Sequence, residues 1–205
     1  MFVYIEYISR RPGVSLQAFR QVVASLQEGW EGAHAGDVLL LNVARTWRVG
    51  PEPDYMTIWY KADSGLERLD EWEHLYTAQA EYEPWNEPFQ IAGSMDAAGC
   101  YEPVLEPVVR RGGHYYCEFL DVAPGAARDD VRDFFLERSE KHPGLELILL
   151  VDRIGSLGPD PRTLAFWSAP SWASLERLVR ELDGVSEPVR LRSGALYADL
   201  GKEIR

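Results

Sequence analysis

From Phe2 to Ile8 the side chains alternate as a half-buried strand requires, with Val3, Ile5 and Tyr7 on one face and Phe2, Tyr4, Glu6 and Ile8 on the other. The pattern returns from His114 to Leu120, where Tyr115, Cys117 and Phe119 lie opposite His114, Tyr116, Glu118 and Leu120. A Pro-Gly pair and a stretch of helical period follow each strand. Leu16, Phe19, Val23 and Leu26 mark one helix face, and Val131, Phe134, Phe135 and Arg138 mark the other less cleanly. Next come "VLLLNVARTWRV" and "DYMTIWYKA", which predict a hairpin whose loop is Gly-Pro-acid-Pro from Gly50; the same loop recurs from Gly158. A second helix is expected from Ser64, with Glu67 completing a capping box, and its counterpart from about Ser171. "GCYEPV" and "GALYADL" read as closing strands.

These correspondences hold in register. Sliding the chain by 112 residues sets Phe2 to Ile8 on His114 to Leu120, Pro12-Gly13 on Pro124-Gly125, and Arg20 on Arg132. An offset of 108 sets His34 on His142, Arg45 on Arg153, and Trp59 on Trp167. Identities in this order, with small drifts, mark a duplication. The halves are expected at 1–107 and 108–205, joined near residues 105 to 112 by "EPVLEPVVRRGG", whose prolines and Gly pair suit a connector. About 81–98 reads as an insertion private to the first half.

Each half therefore reads as βαββαβ, an antiparallel sheet with helices on one face, and the bare face must find a second sheet. The fold class expected is α+β, two tandem ferredoxin-like repeats whose sheets face each other as a barrel. This order of elements resembles the dimeric α+β barrel superfamily in a single-chain form, particularly EthD-type, NIPSNAP-type and antibiotic-biosynthesis monooxygenase-type members. The resemblance implies small-molecule chemistry of several kinds: cofactor-independent oxygenases, isomerases, cyclases, lyases, haem enzymes and ligand sensors.

Composition narrows the partners. The formal net charge of −12 repels phosphate backbones and anionic membrane surfaces, and no Lys/Arg run forms a basic patch. No apolar run approaches the roughly 20 residues of a spanning helix, and the N-terminus lacks the order of charges of a secretory signal. A cytoplasmic protein, monomer or homodimer, is expected, with Cys100 and Cys117 as buried thiols. No metal spacing, P-loop, GxGxxG or GxSxG is present in the sequence, so neither metal nor nucleotide cofactor is expected.

The candidate chemistry starts from the two carboxylates. If the uncharged faces pack on the helices, Glu6 and Glu118 face a cavity between the sheets. Tyr4 and Tyr116 then serve as hydrogen-bond donors and His114 as a proton shuttle. Because His114 matches Phe2, the halves are unequal, and Glu118 is the expected base while Glu6 is structural. The competing expectation makes both carboxylates structural, each paired with a repeated arginine, Arg45 or Arg153. His34 and His142 suit helix ends, and His74 a surface position. Trp59 and Trp167 suit the core, whereas Trp47, Trp85 and Phe89 are candidates for substrate contact. The function expected is acid/base catalysis by an isomerase, cyclase or lyase on an apolar or aromatic oxygenated small molecule. A cofactor-independent or haem-dependent monooxygenase and a non-catalytic ligand-binding or stress-response barrel are the alternatives.

Overall fold

The computed structural model describes residues 1–33, 38–46, 52–62, 65–67, 69–70, 88–110, 113–181 and 187–200. The first half supplies β1 (Phe2–Arg10), α1 (Leu16–Ala33), β2 (Val38–Arg45), β3 (Tyr55–Lys61) and β4 (Gly93–Pro103). The second supplies β5 (His114–Val122), α2 (Arg128–Lys141), β6 (Glu146–Arg153), β7 (Thr163–Ala169), α3 (Trp172–Glu181) and β8 (Val189–Asp199). Both repeated Pro-Gly pairs are left-handed turns, with Gly13 at φ +87 and Gly125 at φ +89, a region that side chains with a Cβ avoid. Each turn releases the chain into its helix. The Ser15 hydroxyl caps α1 by accepting from the Ala18 amide at 3.1 Å, and the Asp130 carboxylate caps α2 by accepting from the Ala127 amide at 2.7 Å. None of the described helices is long and apolar enough to cross a membrane.

The eight strands close into one antiparallel barrel in the order β1-β3-β2-β8-β5-β7-β6-β4. Within it each half keeps the ferredoxin-like order, fourth strand, first, third, second. The repeat extends to irregularities. Bulges interrupt the pairing at Leu39/Leu41 and again at Leu147/Leu149, and at Tyr7/Ile8 and again at Phe119/Leu120. Two short seams join the halves, Val43–Ala44–Arg45 on Asp199–Ala198–Tyr197, and Val151–Asp152–Arg153 on Pro103–Glu102–Tyr101. The repeated Gly-Pro-acid-Pro loops lie at these seams. The Pro53 carbonyl accepts from the Tyr197 hydroxyl at 3.0 Å, and the Leu157 carbonyl accepts from the Cys100 amide at 2.7 Å. A Cβ on Gly158 would come within 2.7 Å of the Gly99 Cα, so the second loop reaches its seam only with glycine there.

Three expectations are corrected. First, the faces are reversed. Val3, Ile5 and Tyr7 point into the barrel with Tyr115, Cys117 and Phe119, whereas Tyr116 and Leu120 pack on the helix layer with Val131, Phe135 and Trp167. The Glu6 and Glu118 faces therefore lie under the helices. The barrel interior is walled by strands alone and takes the uncharged set, because a helix can bring a counter-ion to a carboxylate and a closed interior cannot.

Second, the described residues that point into the inter-sheet space pack on one another as one buried cluster, from Val3 and Ile5 across to Phe166 and Tyr197. Its polar groups satisfy one another where they meet, as Tyr7 and Tyr101 do through their hydroxyls at 2.7 Å.

Third, the insertion expected over about 81–98 is a strand in its last part. β4 begins at Gly93, paired with Arg10. Residues 88–92 are helical, and Phe89 packs with Ile8, Phe19 and Ala92 on the core under α1. Residues 81–87, with Trp85, lie outside the described residues, as do Trp47, His34, Ser64 and His74.

Candidate functional site

On the helix-facing surface of each half, the repeated glutamate meets the repeated tryptophan. The pairing registers set Glu6 beside Thr57 and Ala98, and Glu118 beside Ala165 and Gly194. Two residues along the third strand, the Trp59 indole N–H donates to Glu6 Oε2 at 3.4 Å and the Trp167 indole N–H to Glu118 Oε2 at 3.0 Å. The tryptophans are buried, as the sequence suggests, and are also the donors that hold the carboxylates.

Beyond this pair the halves differ. Glu118 is fully buried, and Arg138 from α2 donates to it at 2.8 Å. The same guanidinium donates to the Leu178 carbonyl at 3.1 Å and lies 5.3 Å from the Trp167 ring and 6.0 Å from the Phe135 ring. Burial raises the Glu118 carboxyl above the ordinary range, while Arg138 and Trp167 oppose the rise. A guanidinium keeps its charge, so the carboxylate it faces stays ionised to balance it. The network continues outward: Glu181 lies 3.8 Å from Arg138 Nε and 2.6 Å from His142 Nε2.

Glu6 differs. No ion pair to it occurs among the described residues, and burial pushes its carboxyl up to about 7, with the Trp59 hydrogen bond pulling the other way. The residue as a whole is only half-buried, in contrast to Glu118. Apolar clusters flank it. Ile8, Phe19, Val23 and Tyr55 lie on one side under α1, and Phe2, Cys100, Tyr4, Leu69 and Ile154 on the other.

The other expected site residues are separated by these contacts. Tyr4 belongs to the cluster beside Glu6. Tyr116 is 3% exposed, with its ring against Gly194 in the helix layer. His114 sets its ring edge-on to Trp172 at 4.3 Å and makes no hydrogen bond to Glu118. The repeated arginines do not pair with the strand glutamates. Arg45 binds Glu52 at 3.2 Å and Asp54 at 2.8 Å, and Arg153 binds Asp160 at 3.0 Å, so each staples its hairpin loop instead. The residue missed by the sequence reading is Arg138. Its signal was a charge on the otherwise apolar face of α2, where the register gives Leu26 in α1.

Haem, found among enzymes of the superfamily this sequence resembles, is commonly held by an imidazole with an open nitrogen beside a slot for the porphyrin. His142 is 5% exposed and engaged by Glu181, and His114 is packed on Trp172. Between α2, α3 and the sheet, Phe135, Trp167, Leu175 and Leu178 are at most 1% exposed. The described residues of the second half do not fit the group. No cluster of three metal-ligating side chains occurs among the described residues either.

No protein-family model matches the chain, and no curated protein matches it. Solved structures do. A candidate chlorite dismutase superposes with TM-score 0.60 at 13% identity, covering 98% of this chain and 95% of that one. A candidate monooxygenase from Fusobacterium nucleatum subsp. nucleatum superposes with TM-score 0.58 at 10% identity, covering 97% and 91%. A tryptophan-to-phenylalanine mutant of chlorite dismutase from Candidatus Nitrospira defluvii, in complex with cyanide, gives TM-score 0.56 at 9% identity, covering 97% and 90%. At such identities the likeness speaks for architecture. The chain has the dimeric α+β barrel fold, written twice in a single polypeptide.

Proposed function

We propose that this protein is a small-molecule enzyme working by acid/base chemistry, an isomerase, cyclase or lyase, with Glu6 rather than Glu118 as the proton acceptor. One observation carries the reading: of two duplicated carboxylates, Glu118 is paired with Arg138, whereas Glu6 pairs with no cation among the described residues and is pushed up to about 7 by burial. A base serves best when its pKa lies near the working pH, and a placed carboxylate contributes about 10²–10⁴-fold. Glu118, with its charge balanced and its site closed, serves the scaffold. The flanking apolar clusters suit an apolar or aromatic substrate carrying an oxygenated, acidified C–H bond.

The likeness to a candidate monooxygenase supports a second reading. A cofactor-independent oxygenase also begins by deprotonating its substrate, so both readings use Glu6 in the same first step. Mass spectrometry of ligands that co-purify with the protein identifies the substrate for an assay. Glu6→Gln is then expected to lower turnover by about 10²-fold or more, and the wild-type rate to rise with pH around 7. Oxygen consumption during turnover separates the oxygenase from the isomerase. Full turnover by Glu6→Gln removes Glu6 from the reaction.

A further inference from the structure

Two strands of the barrel leave part of one edge open. β4 pairs with β1 from Gly93 to Tyr101 but reaches β6 only at Tyr101. Likewise β8 pairs with β5 from Val189 to Ala198 but reaches β2 only at Tyr197. Neighbouring loops extend each contact by one step: the Leu157 carbonyl accepts from the Cys100 amide at 2.7 Å, and the Leu196 carbonyl accepts from the Thr46 amide at 2.8 Å. Before those points, among the described residues, the outer edge of β4 receives only the Arg11 guanidinium, on the Gly93 carbonyl at 3.1 Å, and that of β8 receives no bond. Both stretches meet solvent. Met95 is 41% exposed, and Asp96, Arg190, Arg192 and Gly194 are exposed as well.

A free strand edge is a template for another strand, and proteins guard it with charge. Here the two edges are guarded by opposite charges. The strands align at an offset of 96 residues, Tyr101 on Tyr197, and this sets the extra residue of one β-bulge on the extra residue of the other. That residue is Asp96 in β4 and Arg192 in β8, with Met95 and Leu191 beside them. Asp96 accepts from the Ser9 and Ser94 hydroxyls, which are neutral donors and not cations. Arg192 has no ion pair among the described residues, whereas Arg190 is held by Asp121 at 2.9 Å. β4 contains no Lys or Arg at all. Two β4 edges brought together oppose carboxylate to carboxylate, and two β8 edges oppose guanidinium to guanidinium. Only β4 against β8 opposes unlike charges.

We propose that the protein associates with itself head to tail, the free edge of β4 in one copy adding to the free edge of β8 in the next. Backbone hydrogen bonds carry the contact, Asp96 lies against Arg192 of the neighbouring copy, and Met95 and Leu191 are covered beside them. Because the two edges are different surfaces, the contact is heterologous. It closes as a ring where the rotation per copy permits and otherwise continues as a chain. The seams inside each barrel use other residues, 43–45 on 199–197 and 151–153 on 103–101, and stay intact.

Sedimentation velocity of the full chain across the micromolar range tests this. The expected result is a mass that rises above the monomer with concentration, and rises less in high salt. Asp96→Arg and Arg192→Asp each place like charges at the contact and are expected to weaken association about tenfold or more. An equimolar mixture of the two variants is expected to recover it, because each edge of one then meets an unlike edge of the other. The double variant Asp96→Arg/Arg192→Asp, whose charges are exchanged, is expected to recover it as well. Both positions are exposed, and circular dichroism checks that the variants keep the fold. The wild-type arms need no variant: a monomer over the whole range overturns the proposal. Association that either folded single variant leaves unchanged overturns it too. So does loss in the single variants with no recovery in the mixture or the double variant, since that pattern belongs to a different contact.

Discussion

Replacing Glu6 with glutamine tests the state of this carboxyl without knowledge of any substrate. Glutamine has the shape of the protonated acid, and its amide oxygen can still accept from the Trp59 indole. In the unfolded chain the carboxyl ionises near 4.5, and in the folded protein at about 7. Below pH 4.5 both states hold the proton, and the native-state preference for it is fully present. As pH rises between these values the unfolded state ionises first, so stability is lost progressively until the folded carboxyl has also ionised. At about 1.4 kcal/mol per pH unit, that interval is worth roughly 3 kcal/mol. Because part of Glu6 meets solvent, this figure is a ceiling. Glutamine does not ionise, so the variant should escape the loss. Urea unfolding of wild type and Glu6→Gln, measured from pH 4.5 to 8.5, isolates the effect as a difference, since every other titrating group is common to both. The difference should be near zero at pH 4.5 and favour the variant by roughly 2–3 kcal/mol at pH 8.5. In a chain of this size that corresponds to about 5–10 °C in Tm. A difference that stays constant within about 0.5 kcal/mol over the range refutes the raised pKa and the argument built on it.

Two further outcomes concern the scaffold. Glu118→Gln leaves the Arg138 guanidinium buried without its counter-charge and should cost about 3–5 kcal/mol in urea unfolding, whereas replacing both members by apolar residues of similar volume should recover most of it; an unchanged single variant would remove the pair from the stability account. Residues 1–107 expressed alone expose the bare sheet face and both seam strands, so the fragment should dimerise or aggregate in light scattering, and a stable monomer would contradict the halves as argued here.

The order of elements was legible in the sequence because periodicity is local. The duplication was legible because Glu6, Trp59 and the Gly-Pro-acid-Pro loop each have a partner in register. Alternation tells which residues share a face of β1 or β5 but not which face is inside, and there the reading failed. The deciding fact was a contact between β5 and α2, residues 20 positions apart, in which Arg138 reaches Glu118. Seen from α2 alone, Arg138 looks like a blemish on an apolar stripe. His114 made the second half look specialised, whereas the contact its ring makes is with Trp172. The alignment sets Leu26 opposite Arg138, a difference between the halves that the sequence alone already carried.

The two seams share one register, residues 43–45 on 199–197 and residues 151–153 on 103–101. Strand pairing therefore cannot distinguish a half of the same chain from the corresponding half of a neighbour, and each seam presents only three residue pairs to be exchanged. What selects closure within one polypeptide is effective concentration, which a short tether raises to the millimolar range. The tether here is itself tied down, with the Val104 amide bonded to the Leu150 carbonyl at 2.7 Å and the Val108 amide to the Ile148 carbonyl at 2.9 Å. The connector thus acts as an orienting splint along β6. Lengthening or loosening it would move the population toward exchanged oligomers without altering a residue of either seam.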